Sequence, residues 1–355
     1  MIEDYQIVSV GARTSVGLNA ESTAASVRAG IDQFREHPFI IDKTAEPVIL
    51  AMDSQLDENE FGIKRMMELA LSALHEVWIK LTEINNNIRA LPIFLALPEF
   101  RPGWTAEGYQ QFTASLKKLI DPKKMFLHAS FPYGHAAGLI ALNSAGQYLT
   151  EKQLPVAIVL GVDSYIELET LEWLDQNRQL STSYNRGAFV PGEGAGAIAI
   201  SSTAGLNQFN FSSLAKFSGL GVSQETKLIK TDSICLGEGL TNCVKKSLAN
   251  TSSSSEKIQG IICDINGERY RAEEWGFVLL RLSDNFIDPT DYDFPATYWG
   301  DVGAASGILF LILASIAGQK SWAKGSRYFI WTSSESGYRA GVSISINLSS
   351  KSIAA

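Results

Sequence analysis

Apolar and polar positions alternate with two different periods along the chain. Over residues 61–81, Met66, Leu69, Ala70, Leu74 and Val77 recur at helical spacing and predict a long amphipathic helix. Short apolar runs at 6–11, 48–52, 91–96, 155–161 and 192–200 predict strands. The run at 155–161 is almost wholly apolar, the pattern of a strand buried on both faces. Residues 20–30, 105–119 and 168–174 predict helices, whereas 31–46, punctuated by Pro38 and followed by Pro47, predict irregular chain. The second half repeats the alternation. It has a strand-like 211–222, a helix at 236–249, a buried strand at 258–265, a helix at 271–282 and closing strands at 328–332 and 341–346. The Ser-rich 250–255 reads as a surface linker. Strands alternating with helices imply a layered α/β protein.

Two glycine turns stand out against this background. Tyr133-Gly-His-Ala-Ala-Gly-Leu-Ile-Ala141 and Trp299-Gly-Asp-Val-Gly-Ala-Ala-Ser-Gly307 each join an aromatic residue, a glycine, a polar residue and small residues to an apolar helix. His135 sits at a helix start, where free N–H groups and the positive dipole end face whatever lies opposite. The match places His135 and Asp301 in corresponding positions of two related halves, residues 1–205 and 206–355. The alternative is that any two buried helices opening with glycine and alanine look alike.

The 355 residues and 45% apolar content suffice for a large core. A net charge of −8 argues against nucleic acid and anionic membranes as partners. The most apolar run, 308–317, is too short for a bilayer, which needs about 20 residues. Cys235, Cys243 and Cys263 have neither metal-site nor disulfide-scaffold spacing, which implies a reducing, cytoplasmic setting. The acidic N-terminus does not read as a signal peptide. No metal and no cofactor is expected.

Several segments in order resemble the ketosynthase (β-ketoacyl-ACP synthase) family. They are Val8-Ser-Val-Gly-Ala-Arg-Thr-Ser-Val-Gly-Leu-Asn19, Ile158-Val-Leu-Gly-Val-Asp-Ser164, Phe189-Val-Pro-Gly-Glu-Gly-Ala-Gly-Ala-Ile-Ala199 and Trp299-Gly-Asp-Val-Gly-Ala-Ala-Ser-Gly307. The glycine-rich element at Gly192 to Gly196 is the most specific of them. The resemblance spans nearly the whole chain. It implies an α/β, thiolase-like, five-layered αβαβα fold made of two related halves, with both helices after the glycine turns buried and apolar on all faces. It also implies dimerisation through a strand of the first half.

The departures from that family bear on chemistry. An ungapped count back from Gly161 places the family's nucleophilic cysteine at His135. The family's two catalytic histidines fall on Asn266 and Asp301, and its lysine falls near Ala296. A chain without a thiol or hydroxyl at the turn forms no obvious acyl-enzyme, and Asp301 would repel a developing oxyanion. Ser130 could serve only if the register slipped by five residues.

The resemblance therefore implies a ketosynthase-like protein of fatty-acid or polyketide-type metabolism without condensing activity. It would be a non-condensing partner subunit or an acyl-binding protein. The expected assembly is a homodimer, or a heterodimer with a ketosynthase, with acyl carrier protein or acyl-CoA as further partners. The alternative is an acyl-thioester hydrolase or decarboxylase in which the Asp301 carboxylate orients His135 as a base.

Around these positions, Arg269 and Arg271 could hold a phosphate, although the charge-dense run 266–275 also reads as a solvated loop and helix start. Glu193 is expected to cap backbone amides. Trp173 and Trp299 could line an acyl tunnel or simply pack in the core. His128 reads as a strand-end histidine, and His37 and His75 lie outside any constellation.

Overall fold

The structure, a computed structural model, describes residues 2–228, 231, 233–249 and 257–348. The Ser-rich stretch 250–255 lies outside the described residues. The first half runs β1 (Tyr5–Thr14), α1 (Ala20–Arg28), β2 (Phe34–Ile41), β3 (Pro47–Ala51), α2 (Gly62–Ile84), β4 (Leu91–Ala96), α3 (Ala106–Leu119), β5 (Met125–Phe131), α4 (Ala137–Lys152), β6 (Val156–Ser164), α5 (Leu168–Gln176), β7 (Glu193–Ser202) and α6 (Thr203–Phe209). The second runs β8 (Ala215–Gln224), α7 (Glu238–Leu248), β9 (Gly260–Cys263), α8 (Arg269–Leu282), α9 (Ala296–Trp299), α10 (Ser306–Gln319), β10 (Arg327–Ser333) and β11 (Tyr338–Ile346).

The caps are local chemistry. Asn19 and Ser22 form a reciprocal capping box at α1, and the Thr105 hydroxyl accepts from Gly108 N at α3. Residues 31–46 are not irregular as expected. Phe34 to Glu36 pair with β3, and the register slips before Ile41, around Pro38, which has no N–H to give a ladder.

The nine-stranded order β5-β4-β6-β7-β1-β8-β11-β10-β9 is mirrored about the short antiparallel contact of Gln6 and Ile7 with Lys216 and Ala215. Outward from that seam each half presents its first strand, its last, its last but one, then its second. The pairings match as well: antiparallel, antiparallel, then parallel. The first half adds β5 beyond β4. Among the described residues the second half has no such strand. There the chain makes only isolated parallel bridges, Ile258 to Phe286 and Ile262 to Asp293.

Five layers result. Helices α2 and α3 cover one face of the first half-sheet through Leu69, Val77, Phe112 and Leu116. Helices α7 and α8 cover the far face of the second through Val244, Trp275 and Val278. Between the half-sheets lie α4 and α10, packed with residues of both halves. Gly138 brings its backbone close to Ile308, and Gly307 does the same to Leu139.

Residues 306–318 of α10 are buried on every side. Each large side chain among them contributes about 1.5–3 kcal/mol relative to exposure. Helix α4 departs from that expectation: Gln147 is exposed and Asn143 half-buried, so it keeps one polar face. No helix among the described residues is long and apolar enough to cross a membrane.

Candidate functional site

Gly134 opens the turn before α4 with φ 62°, and a Cβ there would press on the Glu99 side chain. Residues Gly134–Ala136 make one 3-10 turn, and Gly303–Ala305 make its twin before α10. The flanking Tyr133 (φ −117°, ψ 18°) and Val302 (φ −112°, ψ 19°) have nearly equal backbones, and Gly303 is left-handed like Gly134. The turn twins are therefore Gly134 with Gly303 and His135 with Ala304. This corrects the pairing of His135 with Asp301. Asp301 precedes its turn by two residues and accepts the Gly303 N–H at 2.7 Å.

The three candidate side chains nevertheless meet. His135 Nε2 lies 2.9 and 3.0 Å from the two carboxylate oxygens of Asp301. Asn266 Nδ2 donates to Asp301 Oδ2 at 2.6 Å. His135 and Asp301 are both buried, at 5% and 4% exposure. Burial alone would pull the imidazole toward neutrality, but the Asp301 carboxylate outweighs it and raises the His135 pKa. Burial would likewise raise Asp301, yet His135, Arg271 and the Asn266 hydrogen bond hold its carboxyl well below the usual range. Both shifts favour the imidazolium–carboxylate form of the pair over the neutral one. A histidine already protonated is a poor base.

A second group, missed by the sequence reading, supports the first. Arg271 is fully buried rather than solvated, which corrects the expectation for 266–275. Its guanidinium donates to Asp264 Oδ2 and the Ser333 carbonyl, each at 2.8 Å, and to Glu268 at 3.3 Å. Arg271 Nη2 lies 3.4 Å from His135 Nε2. Arg271 is spent on this network, and only exposed Arg269, paired with Glu273, faces solvent. On the other side Arg101 bonds Asp163 at 2.6 Å and lies 4.1 Å over the Tyr165 ring. Asp163 in turn accepts from Ala304 N at 2.9 Å. Ser334 Oγ accepts from Ala136 N at 2.9 Å and donates to the Tyr133 carbonyl at 2.5 Å, closing the start of α4.

A cavity of about 120 Å³ reaches His135, lined among others by Glu99, Arg101, Tyr165, Trp173 and Glu335. Ligand pockets usually measure about 300–1,000 Å³, so this one does not hold a long acyl chain. Burial pushes the Glu99 carboxyl up, while the Ser336 hydrogen bond and His135 oppose it.

Of the two tryptophans, Trp173 lines the cavity and Trp299 is buried against Phe310. Glu193 accepts Asp53 N at 2.8 Å as an amide cap, but its main partner is buried Arg65, bound bidentately at 2.6 Å. Ser130 bonds Tyr109 within the β5 region, away from the turn, and His128 lies inside β5 with its ring tilted against that of Tyr148. None of the cysteines is at the turn. Burial pushes the Cys243 thiol up to about 12. Among the described residues, Glu225, Cys235 and Glu274 could reach one metal ion, with ligand atoms within 4.8 Å of one another. Glu274 is already paired with Arg339, and Glu225 accepts from Gly239 N.

Compared with profiles of known families and with curated protein sequences, the chain matches none. Solved structures do match its fold. A chain from a complex of a type II polyketide-synthase acyl-carrier protein with its ketosynthase superposes with a TM-score of 0.76 at 12% identity, covering 96% of this chain and 98% of that one. The ketosynthase from module 6 of the bacillaene synthase of Bacillus subtilis 168 gives 0.76 at 15% identity, covering 96% and 72%. The ishigamide ketosynthase/chain length factor gives 0.68 at 16%, covering 97% and 99%. The chain therefore has the thiolase-like ketosynthase fold. Identities this low carry the fold alone.

Proposed function

We propose that the chain is a ketosynthase-like protein of polyketide or fatty-acid type metabolism that does not condense, and that it works as the partner subunit of a ketosynthase. In this reading His135, Asn266 and Asp301 stand where the family's cysteine and two histidines stand. The observation that carries it is the ion pair at the turn: the side chain in the nucleophile's place is bound to both oxygens of Asp301. Catalysis of condensation needs a thiolate there and a donor, not a carboxylate, opposite it. The small, partly polar cavity favours a partner subunit over an acyl-binding protein. One solved neighbour is described as a ketosynthase/chain length factor and another as an acyl-carrier protein with its ketosynthase, which supports the same choice of partners.

Dimerisation would use β5, whose outer edge is unpaired at the end of the sheet order. A reducing compartment suits the free thiols. The test mixes the purified chain with acyl-ACP and malonyl-ACP, alone and with a condensing ketosynthase from the same genome. The chain alone yields no product, and light scattering finds a heterodimer with the ketosynthase. Condensation by the chain alone would sink the proposal, as would failure of the two proteins to associate.

A second reading, hydrolysis or decarboxylation of an acyl thioester, rests on the cavity reaching His135. Under it His135→Ala abolishes turnover of a short acyl thioester without unfolding the protein. Unchanged turnover removes it.

A further inference from the structure

A second cavity, larger than the one at His135, lies elsewhere. A cavity of about 300 Å³ lies against the C-terminal part of α10. Leu313 to Ala317 follow the start of α10 by seven to eleven residues, on the order of 10–16 Å along the helix from the end nearest Asp301. Its origin is the outer strand that the described residues of the second half lack. In the first half β5 covers the outer edge of β4, and Ala129 and Phe131 pack inward. In the second half the chain leaves the sheet after the Ile262–Asp293 bridge, and Pro295 starts the short helix α9. Ile262, Leu313, Ala314 and Ala317 are left as a floor that no strand among the described residues covers.

What closes over that floor is aromatic. Tyr292, Tyr298 and Trp322 form the walls. The rim carries charge, and most of it is used. Lys324 is shared by Asp291 at 2.8 Å and Asp293 at 3.1 Å, so this part of the rim keeps one negative charge in excess and only the Arg28 side of the mouth offers a cation outside an ion pair. Arg28, at the end of α1, lies 5.7 Å over the Trp322 ring and makes no ion pair with another described residue. An apolar floor, ring walls and one unspent cation at the mouth match a flat, apolar body ending in one negative charge.

We propose that this cavity binds a small monoanionic aromatic acid, its ring between Trp322 and the α10 alanines and its acid group on Arg28. The size fits one or two rings and excludes a long acyl chain. The site is separate from the His135 turn and stands whether or not the chain partners a ketosynthase.

The test titrates the full chain with 3-phenylpropanoate and, separately, with neutral 3-phenylpropanamide, followed by calorimetry and saturation-transfer NMR. Saturable binding of the acid at one site per chain is expected. Exposed Arg28→Gln should weaken the acid by about tenfold or more, the loss of a charge-assisted hydrogen bond, and leave the amide unchanged. Ala317→Leu fills the floor and should abolish binding of both. Should that variant fail to fold, Thr297→Trp at the exposed mouth closes the cavity from outside. Absence of saturable acid binding overturns the proposal, as does acid binding that Arg28→Gln leaves unchanged or that survives the filling variants.

Discussion

His135 Nε2 and the Asp301 carboxylate, 166 residues apart, meet at 2.9 and 3.0 Å where the starts of the two central helices converge. Neither side chain stands alone. Asn266 and Gly303 N occupy the carboxylate from other sides, and Arg271 sits behind the imidazole. The turn is therefore held as an ion pair rather than as a poised nucleophile, and its titration is a direct readout.

The His135 pKa is raised above the ordinary 6.5, and that of Asp301 is lowered below 3.8. The histidine's contribution to stability is full below the unfolded value and is lost as pH rises through the raised one. The aspartate's is full above its unfolded value and is lost as pH falls through the depressed one. Together they contribute most between about pH 4 and 6.5. Urea denaturation should show Asp301→Asn costing clearly more at pH 5.5 than at pH 9.5. The same cost at both values would show that His135 is neutral.

How much of this was legible in the sequence depended on the kind of signal. The alternation of strands and helices, with the run Gly192 to Gly196, carried the layered fold because periodicity and glycine placement are local properties. Strand β5 was legible only as a strand end at His128, because His128 and Ser130 break its apolar run and its extent is set by tertiary packing. His135, Asn266 and Asp301 were found through motif order, which survives without coordinates. Arg271 was not, since a charge-dense run reads as solvated. A finer signal was present: Arg271 shares a helical face with Trp275 and Val278, both buried. The pairing of turns erred because Trp299-Gly300-Asp301 copies the aromatic-glycine-polar order of Tyr133-Gly134-His135, and only backbone angles show that Gly303 begins the 3-10 turn.

Gly303 is the position where that turn tolerates least. Its φ is +45°, and a Cβ would collide with the Asp163 carboxylate that Arg101 and Ala304 N also hold. Gly303→Ala should cost about 2–4 kcal/mol, a left-handed alanine plus a displaced buried ion pair. Thermal unfolding tests it. A melting temperature within a degree or two of the native chain would mean that the turn relaxes freely.

Arg65 and Glu193 form a bidentate pair with neither side chain exposed. Glu193 also accepts from Ser164 Oγ and Asp53 N, so it joins β7, the end of β6 and the second residue after β3. Arg65→Met leaves that carboxylate buried with too few donors and should cost about 3–5 kcal/mol. Denaturant titration of the variant measures this. A loss below about 1 kcal/mol would place the pair among weak surface bridges.

A cysteine placed at the turn tests the electrostatics separately from the fold. In His135→Cys the thiol would lie buried beside Asp301, and both burial and the carboxylate disfavour thiolate. Alkylation of residue 135 by iodoacetamide at pH 7, followed by peptide mass mapping, should be slower than for half-buried Cys235 in the same molecule. Adding Asp301→Asn removes the repelling charge while Arg271 stays close, and should speed alkylation by about tenfold, one pKa unit. Equal rates in the single and double variants would show that the Asp301 charge does not reach the turn. The argument against a nucleophile at residue 135 would then rest on the missing thiol alone.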